Sequence, residues 1–151
     1  MFQSDRLTIS HGFDLPRPAA DCLDLFTPEG EFDWIPTWAP TFIFPASGNT
    51  ECGMVFTTSE ADGSVTVWTM TAKQPEAGRH AYVRVTPGLR TVALTVVCRP
   101  NDADSCHVAV EFVLTGLSEA GNAANRQFAA GFATMIDGWR DLILAYFAKA
   151  A

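Results

Sequence analysis

The side chains that could do chemistry here are few and scattered. His80, Tyr82 and Arg84 lie in one run of alternating residues, and His107 and Glu111 lie in another. A histidine beside a carboxylate offers acid–base catalysis, because imidazole titrates near neutrality and a nearby carboxylate raises its pKa. If instead these residues share a solvated sheet face, they are ordinary surface groups. His11 stands alone near Pro-rich turns, which fits a structural role. Nucleophilic catalysis finds no support: there is no GxSxG elbow and no cysteine evidently paired with a histidine. Three separated histidines do not make a metal site, and no GxGxxG or P-loop offers a nucleotide site. No cofactor and no metal are expected, and whether the chain is an enzyme stays open.

Cys22, Cys52, Cys98 and Cys106 form no CxxC pair. The first residues, Met1 to Arg6, do not resemble a secretion signal, so reduced thiols and a cytoplasmic location are expected. The formal charge of −7, with only two lysines, disfavours nucleic acid and anionic lipid as partners. No apolar run is long enough to span a membrane. With 151 residues, 48% of them hydrophobic and 18% charged, the chain reads as one folded domain over residues 1–151.

The elements that must position these groups follow from periodicity and turn residues. Leu7–Phe13 alternates as a strand and is stopped by Pro16 and Pro18. Ala19–Phe26 reads as a short helix. Thr27 as cap and Pro28 in the first turn open a second, which extends to about Trp34 and has Glu29 and Glu31 near its positive end. Six β segments follow: Thr41–Phe44, Gly53–Ser59, Ser64–Lys73, Arg79–Thr86, Arg90–Arg99 and Cys106–Leu114. Asp62-Gly63 and Pro87-Gly88 mark turns.

A Pro87-Gly88 loop sets Val83 opposite Val92 and Ala81 opposite Leu94. A five-residue loop, Pro100–Asp104, sets Val108, Val110 and Phe112 opposite Val96, Leu94 and Val92, and Cys98 opposite Cys106, where a cross-strand disulfide is conceivable. His80, Tyr82, Arg84, His107 and Glu111 then share the other face. The loop from Gln74 to Gly78 leaves the preceding strand open: either Val65, Val67 and Phe56 point inward, or Trp68 and Met70 do.

From Asn122 onward Phe128, Phe132, Met135, Ile136, Trp139, Leu142, Ile143 and Tyr146 recur at helical steps, with Asn125, Asp137, Arg140 and Asp141 opposite. So wide an aromatic stripe must be covered, and the inner face of the sheet is the only surface large enough. Gly131 and Gly138, inside this helix, would serve either a close approach or packing against a bulky neighbour.

This order of strand, two short helices, six strands and a long helix resembles the SRPBCC or START-like superfamily, in its small bacterial branch with polyketide cyclase/dehydrase-like proteins. The residues that carry the resemblance are Leu25-Phe26-Thr27-Pro28-Glu29-Gly30-Glu31 with Trp34, Trp38 and Pro40, then Gly53-Met54-Val55-Phe56-Thr57-Thr58, Thr115-Gly116-Leu117-Ser118-Glu119-Ala120-Gly121 and Trp139. It implies an α+β helix-grip fold: a curved antiparallel sheet of about seven strands, two short helices, and a long C-terminal helix over the concave face. It also implies a cavity between that helix and the sheet. The abundance of aromatics, with eleven Phe and four Trp, agrees.

The expected ligand-binding residues are Trp38, Phe56, Trp68, Met70, Val83, Leu94, Phe112, Phe128, Phe132, Met135 and Trp139. Trp34 and Trp38 would either guard the entrance or anchor helix packing. The expected partner is a hydrophobic or aromatic small molecule, lipid- or polyketide-like, and a homodimer is compatible with the sequence. A cyclase, aromatase or dehydratase using ionisable cavity residues is the alternative, and a chaperone-activator-like domain the second alternative.

Overall fold

The computed structural model describes residues 1–150. Seven strands form one antiparallel sheet: β1 (Arg6–Leu15), β2 (Thr41–Phe44), β3 (Val55–Ser59), β4 (Val65–Gln74), β5 (Arg79–Thr86), β6 (Arg90–Pro100) and β7 (Cys106–Gly116). Their order across the sheet is β1-β7-β6-β5-β4-β3-β2. All but the first pairing follow from hairpins. The opening strand closes the far edge against β7, pairing Ile9 with Phe112.

Two short helical stretches follow β1. Helix α1 (Ala19–Cys22) tightens into a 3-10 turn over Leu23–Phe26, and a second 3-10 turn covers Gly30–Asp33. Both are shorter than the sequence suggests. Thr27 accepts the Gly30 amide at 3.0 Å and donates to the Asp24 carbonyl at 2.8 Å, so its hydroxyl stitches the two turns together. Helix α2 (Glu119–Ala150) crosses the concave face. It lies chiefly against β1 and β7, and leaves the β3–β5 half of the sheet to the segment 28–40.

The faces of β6 and β7 are as the alternation predicts: Val92, Leu94, Val96, Val108, Val110 and Phe112 are all buried. Their register is not. Leu94 pairs with Phe112 and Cys98 with Val108, because the loop runs from Asn101 to Ser105 rather than from Pro100 to Asp104. Asp102 organises that loop by accepting from the Asp104 amide and the Ser105 hydroxyl. The pairing moves by two residues, so the inward face survives while Cys98 and Cys106 are no longer opposite one another. All four cysteines are free thiols.

Strand β5 overturns its expected face. Thr86 pairs with Arg90, Arg84 with Val92 and Tyr82 with Leu94. The connection has three residues because Leu89 leaves the ladder: its amide bonds the Thr86 carbonyl at 3.0 Å, with Pro87 and the positive-φ Gly88 at the turn's centre. The Leu89 carbonyl is held instead by the Leu117 amide at 2.8 Å, and it presses on Gly121 so closely that a Cβ there would sit 1.8 Å from it. The start of α2 thus draws one residue out of the hairpin, and a one-residue slip turns a whole strand over. Ala81 and Val83 point to the convex side; His80, Tyr82 and Arg84 point inward.

Strand β4 takes the second of the two arrangements left open by the sequence, with Trp68 and Met70 inward, but Phe56 joins them rather than Val65 and Val67. A four-residue loop pairs Gln74 with Arg79, and a bulge between Met70 and Ala72 shifts the register, so that Trp68 meets Arg84 and Met70 meets Tyr82. Phe56 pairs with Trp68, and the three side chains face inward together, while Val65 and Val67 are exposed.

Candidate functional site

The two halves of the concave face do not close fully on each other. Between α2 and the segment 28–40 lies an open cavity of about 450 Å³. Its floor comes from adjacent strands: Trp68 of β4, Arg84 of β5, Leu94 of β6 and Phe112 of β7. Its roof is Phe128, Met135 and Trp139 of α2. Glu31, Ile35 and Trp38 form one wall, and the end of β3 at Thr58, Ser59 and Glu60 forms the rim. A small void of about 20 Å³, lined partly by Phe56, Tyr82 and Val96, continues the space between Trp68 and Trp139.

The aromatic walls are fixed. Trp68 stacks on Phe56 at 5.3 Å and meets Trp38 edge-on at 6.3 Å. Phe112 stacks on Phe128 at 5.8 Å. The indole N–H of Trp38 donates to the Pro28 carbonyl at 2.8 Å, and that of Trp68 to the Thr58 hydroxyl at 2.9 Å. Their polar edges are spent inside the protein, so both rings show the cavity an apolar surface. Trp34 is not an entrance residue: it is buried, bonded to the Leu25 carbonyl at 2.7 Å and packed edge-on against Trp139.

Of the residues expected at a ligand site, Trp38, Trp68, Leu94, Phe112, Phe128, Met135 and Trp139 line the cavity, and Phe56 lines the small void beside it. Met70 and Phe132 are core residues beneath. Val83 lies on the opposite face of the sheet, for the reason given by Leu89.

The polar candidates part company. His107 and Glu111 lie exposed on the convex side, where the His107 ring bonds Asp14 at 2.8 Å and holds that carboxyl below its usual range. His80 is fully buried, with its ring 3.2 Å from the Asp24 carboxylate, outside the cavity. Tyr82 donates to the Phe26 carbonyl at 2.9 Å, and burial raises its pKa. His11 ties β1 to α2 through Asp137 at 2.9 Å. Asn125, expected on the solvated side of α2, is buried and accepts from Arg90 at 3.4 Å. Only Arg84 of the sequence-derived candidates reaches the cavity.

Glu31 and Glu60 join it there. Burial pushes the Glu31 carboxyl up to about 8, although the Arg84 charge pulls the other way. It keeps partial contact with solvent through the cavity mouth while its surroundings are mostly protein. Glu60 accepts from the Thr66 hydroxyl at 2.6 Å at the rim. A signal for Glu31 exists in the sequence: Trp34, Ile35 and Trp38 follow at steps of three, four and seven, which places the acid on the apolar side of a helical stretch. Among the described residues no group of His, Cys, Asp and Glu is arranged to hold a metal, and no helix is long and apolar enough to cross a membrane.

Comparison with known proteins rests on this architecture alone. No protein-family model matches the sequence and no curated protein matches it. Solved structures do. Norcoclaurine synthase from Thalictrum flavum, solved in complex with dopamine and hydroxybenzaldehyde, is similar with a TM-score of 0.70 over 94% of this chain and 88% of that one, at 15% identity. A protein from Mesorhizobium loti is similar with a TM-score of 0.67 over 96% of this chain and 99% of that one, also at 15% identity. Another, from Rhizobium loti, has a TM-score of 0.68 over 96% and 99%, at 14% identity.

The chain has the helix-grip fold. Its open sheet, two short helical stretches and gripping C-terminal helix are what it shares with these solved structures. At such identities the likeness transfers the fold and no residue's role.

Proposed function

We propose that this helix-grip protein binds a hydrophobic or aromatic small molecule in the cavity between α2, the segment 28–40 and the sheet. The observation that carries this is the cavity itself: about 450 Å³, in the range of small-molecule sites, walled by five aromatic side chains, with the charged groups limited to Glu31, Glu60 and Arg84. That norcoclaurine synthase, which shares the fold, was solved holding two small aromatic molecules supports the same use of the space. The protein would act as one domain in the cytoplasm.

Trp38, Trp68 and Trp139 line the cavity, so intrinsic fluorescence reports its occupation. Native mass spectrometry of freshly purified protein should show a co-purifying small molecule, and titration with the neutral probe N-phenyl-1-naphthylamine should quench the tryptophans saturably. No bound mass together with no saturable quenching refutes the reading.

One observation favours a second reading, an acid–base enzyme acting on a polar aromatic precursor. Glu31, pushed up to about 8, would exchange protons near neutrality inside the cavity, with Arg84 available to stabilise negative charge. Under this reading Glu31→Gln abolishes conversion of the co-purified molecule without loosening its binding. Unchanged conversion refutes it.

A further inference from the structure

We infer that the cavity is specific for organic carboxylates, whose acid group is held by Arg84 while an apolar body lies against the aromatic walls. This rests on the ligand-binding reading above and names the class of ligand.

Arg84 rises from the middle of β5 into the cavity floor. Its guanidinium carbon lies 5.1 Å from the Trp68 ring centre, 5.4 Å from Phe112 and 5.8 Å from Phe128, a box of three rings. Among the described residues it makes no ion pair, and no hydrogen bond to protein is formed by any of its donors. Burial lowers its pKa to about 10, which still leaves it charged at neutral pH. Arg84 is half-buried, and its nitrogens stay accessible from the cavity. The aromatic faces favour the cation but take up none of its N–H donors. The donors open onto a space whose other walls are Leu94, Met135 and Trp139, and a ligand oxygen anion is the group that completes them.

The surrounding charges select which anion. Glu31 and Glu60 line the same cavity. Arg90 stands 5.1 Å from the Phe128 ring centre and its charge acts on Arg84, but it donates to Asn125 and does not line the cavity. One cation facing one or two acids suits a single negative charge and repels a dianion such as a phosphate monoester. The planar two-pronged donor set of arginine also matches a carboxylate.

The test uses three ligands with one body: 2-naphthylacetate, 2-(2-naphthyl)ethanol and 2-naphthyl phosphate, titrated calorimetrically into the full chain at pH 6.5. A charge-assisted pair in such a site makes the acid bind about ten- to a hundred-fold tighter than the alcohol. The phosphate should bind no tighter than the acid. Arg84→Met, close in volume, should abolish the acid's advantage over the alcohol.

Equal binding of acid and alcohol overturns the inference and leaves the cavity reading standing, and this comparison needs no variant. A preference that survives Arg84→Met overturns the role of Arg84. Tightest binding by the phosphate overturns the carboxylate class. Binding of none of the three overturns the inference and the cavity reading together.

Discussion

Replacing Glu31 with glutamine should stabilise the protein, and by an amount that depends on pH in a defined way. The carboxyl is pushed from 4.5 up to about 8 by burial in the cavity wall. Between these values the unfolded chain is ionised while the folded chain keeps its proton, so the folded state binds more protons and stability falls as pH rises. Below pH 4.5 both states are neutral at this site, and above pH 8 both are ionised, so the slope vanishes at either end.

At about 1.4 kcal/mol per pH unit the full difference is about 5 kcal/mol. Glu31 retains contact with solvent through the cavity mouth, which screens it and reduces the recoverable part to about 1–3 kcal/mol. For a chain of this length that is about 3–10 °C in Tm. Glutamine cannot ionise, and any constant effect of the amide cancels when the two proteins are compared across pH. Differential scanning calorimetry of wild type and Glu31→Gln from pH 4 to pH 9 should show Tm curves that separate steadily from about pH 5 to pH 8 and then run parallel. Curves parallel throughout would refute the placement of Glu31 in a desolvated wall.

Other substitutions test the framework. Gly121→Ala should cost about 3 kcal/mol or more in urea denaturation, because its Cβ would meet the Leu89 carbonyl, a backbone atom that cannot move aside cheaply. Gly131→Ala should instead add about 0.5–1 kcal/mol, since a Cβ there meets nothing within 4 Å and the helix gains a better former. The same open space at Gly138 shows that neither glycine packs against a strand or a bulky neighbour. In the native protein Ellman's reagent should modify one thiol, Cys52, promptly. Cys22, Cys98 and Cys106 are buried and their pKa values are raised by desolvation, so all four should react only after denaturation.

The long amphipathic helix, the number and order of the strands, and the inward faces of β6 and β7 are written locally. Each rests on periodicity or on turn residues within a few positions. The faces of β6 and β7 do not depend on where their five-residue loop begins, because its odd length fixes the parity. The face of β5 depends on whether Leu89 belongs to the strand or the turn. That is decided by the Leu117 amide and by Gly121 at the start of α2, about thirty residues along the chain. The bulge after Met70 then fixes Trp68 and Phe56 on the same side as Arg84.

The aromatic lining was therefore legible in composition and spacing, while the charge within it was not. The alternation that sent Arg84 to the solvated face would have given a purely apolar cavity. The spacing puts Glu31 on the side of Trp34, Ile35 and Trp38, but only the packing of the segment 28–40 over β3–β5 turns that side into a cavity wall. Side-chain period in a strand is two, so a single residue held by a distant contact decides what a whole strand presents. At this site that contact determines whether the cavity contains a cation at all.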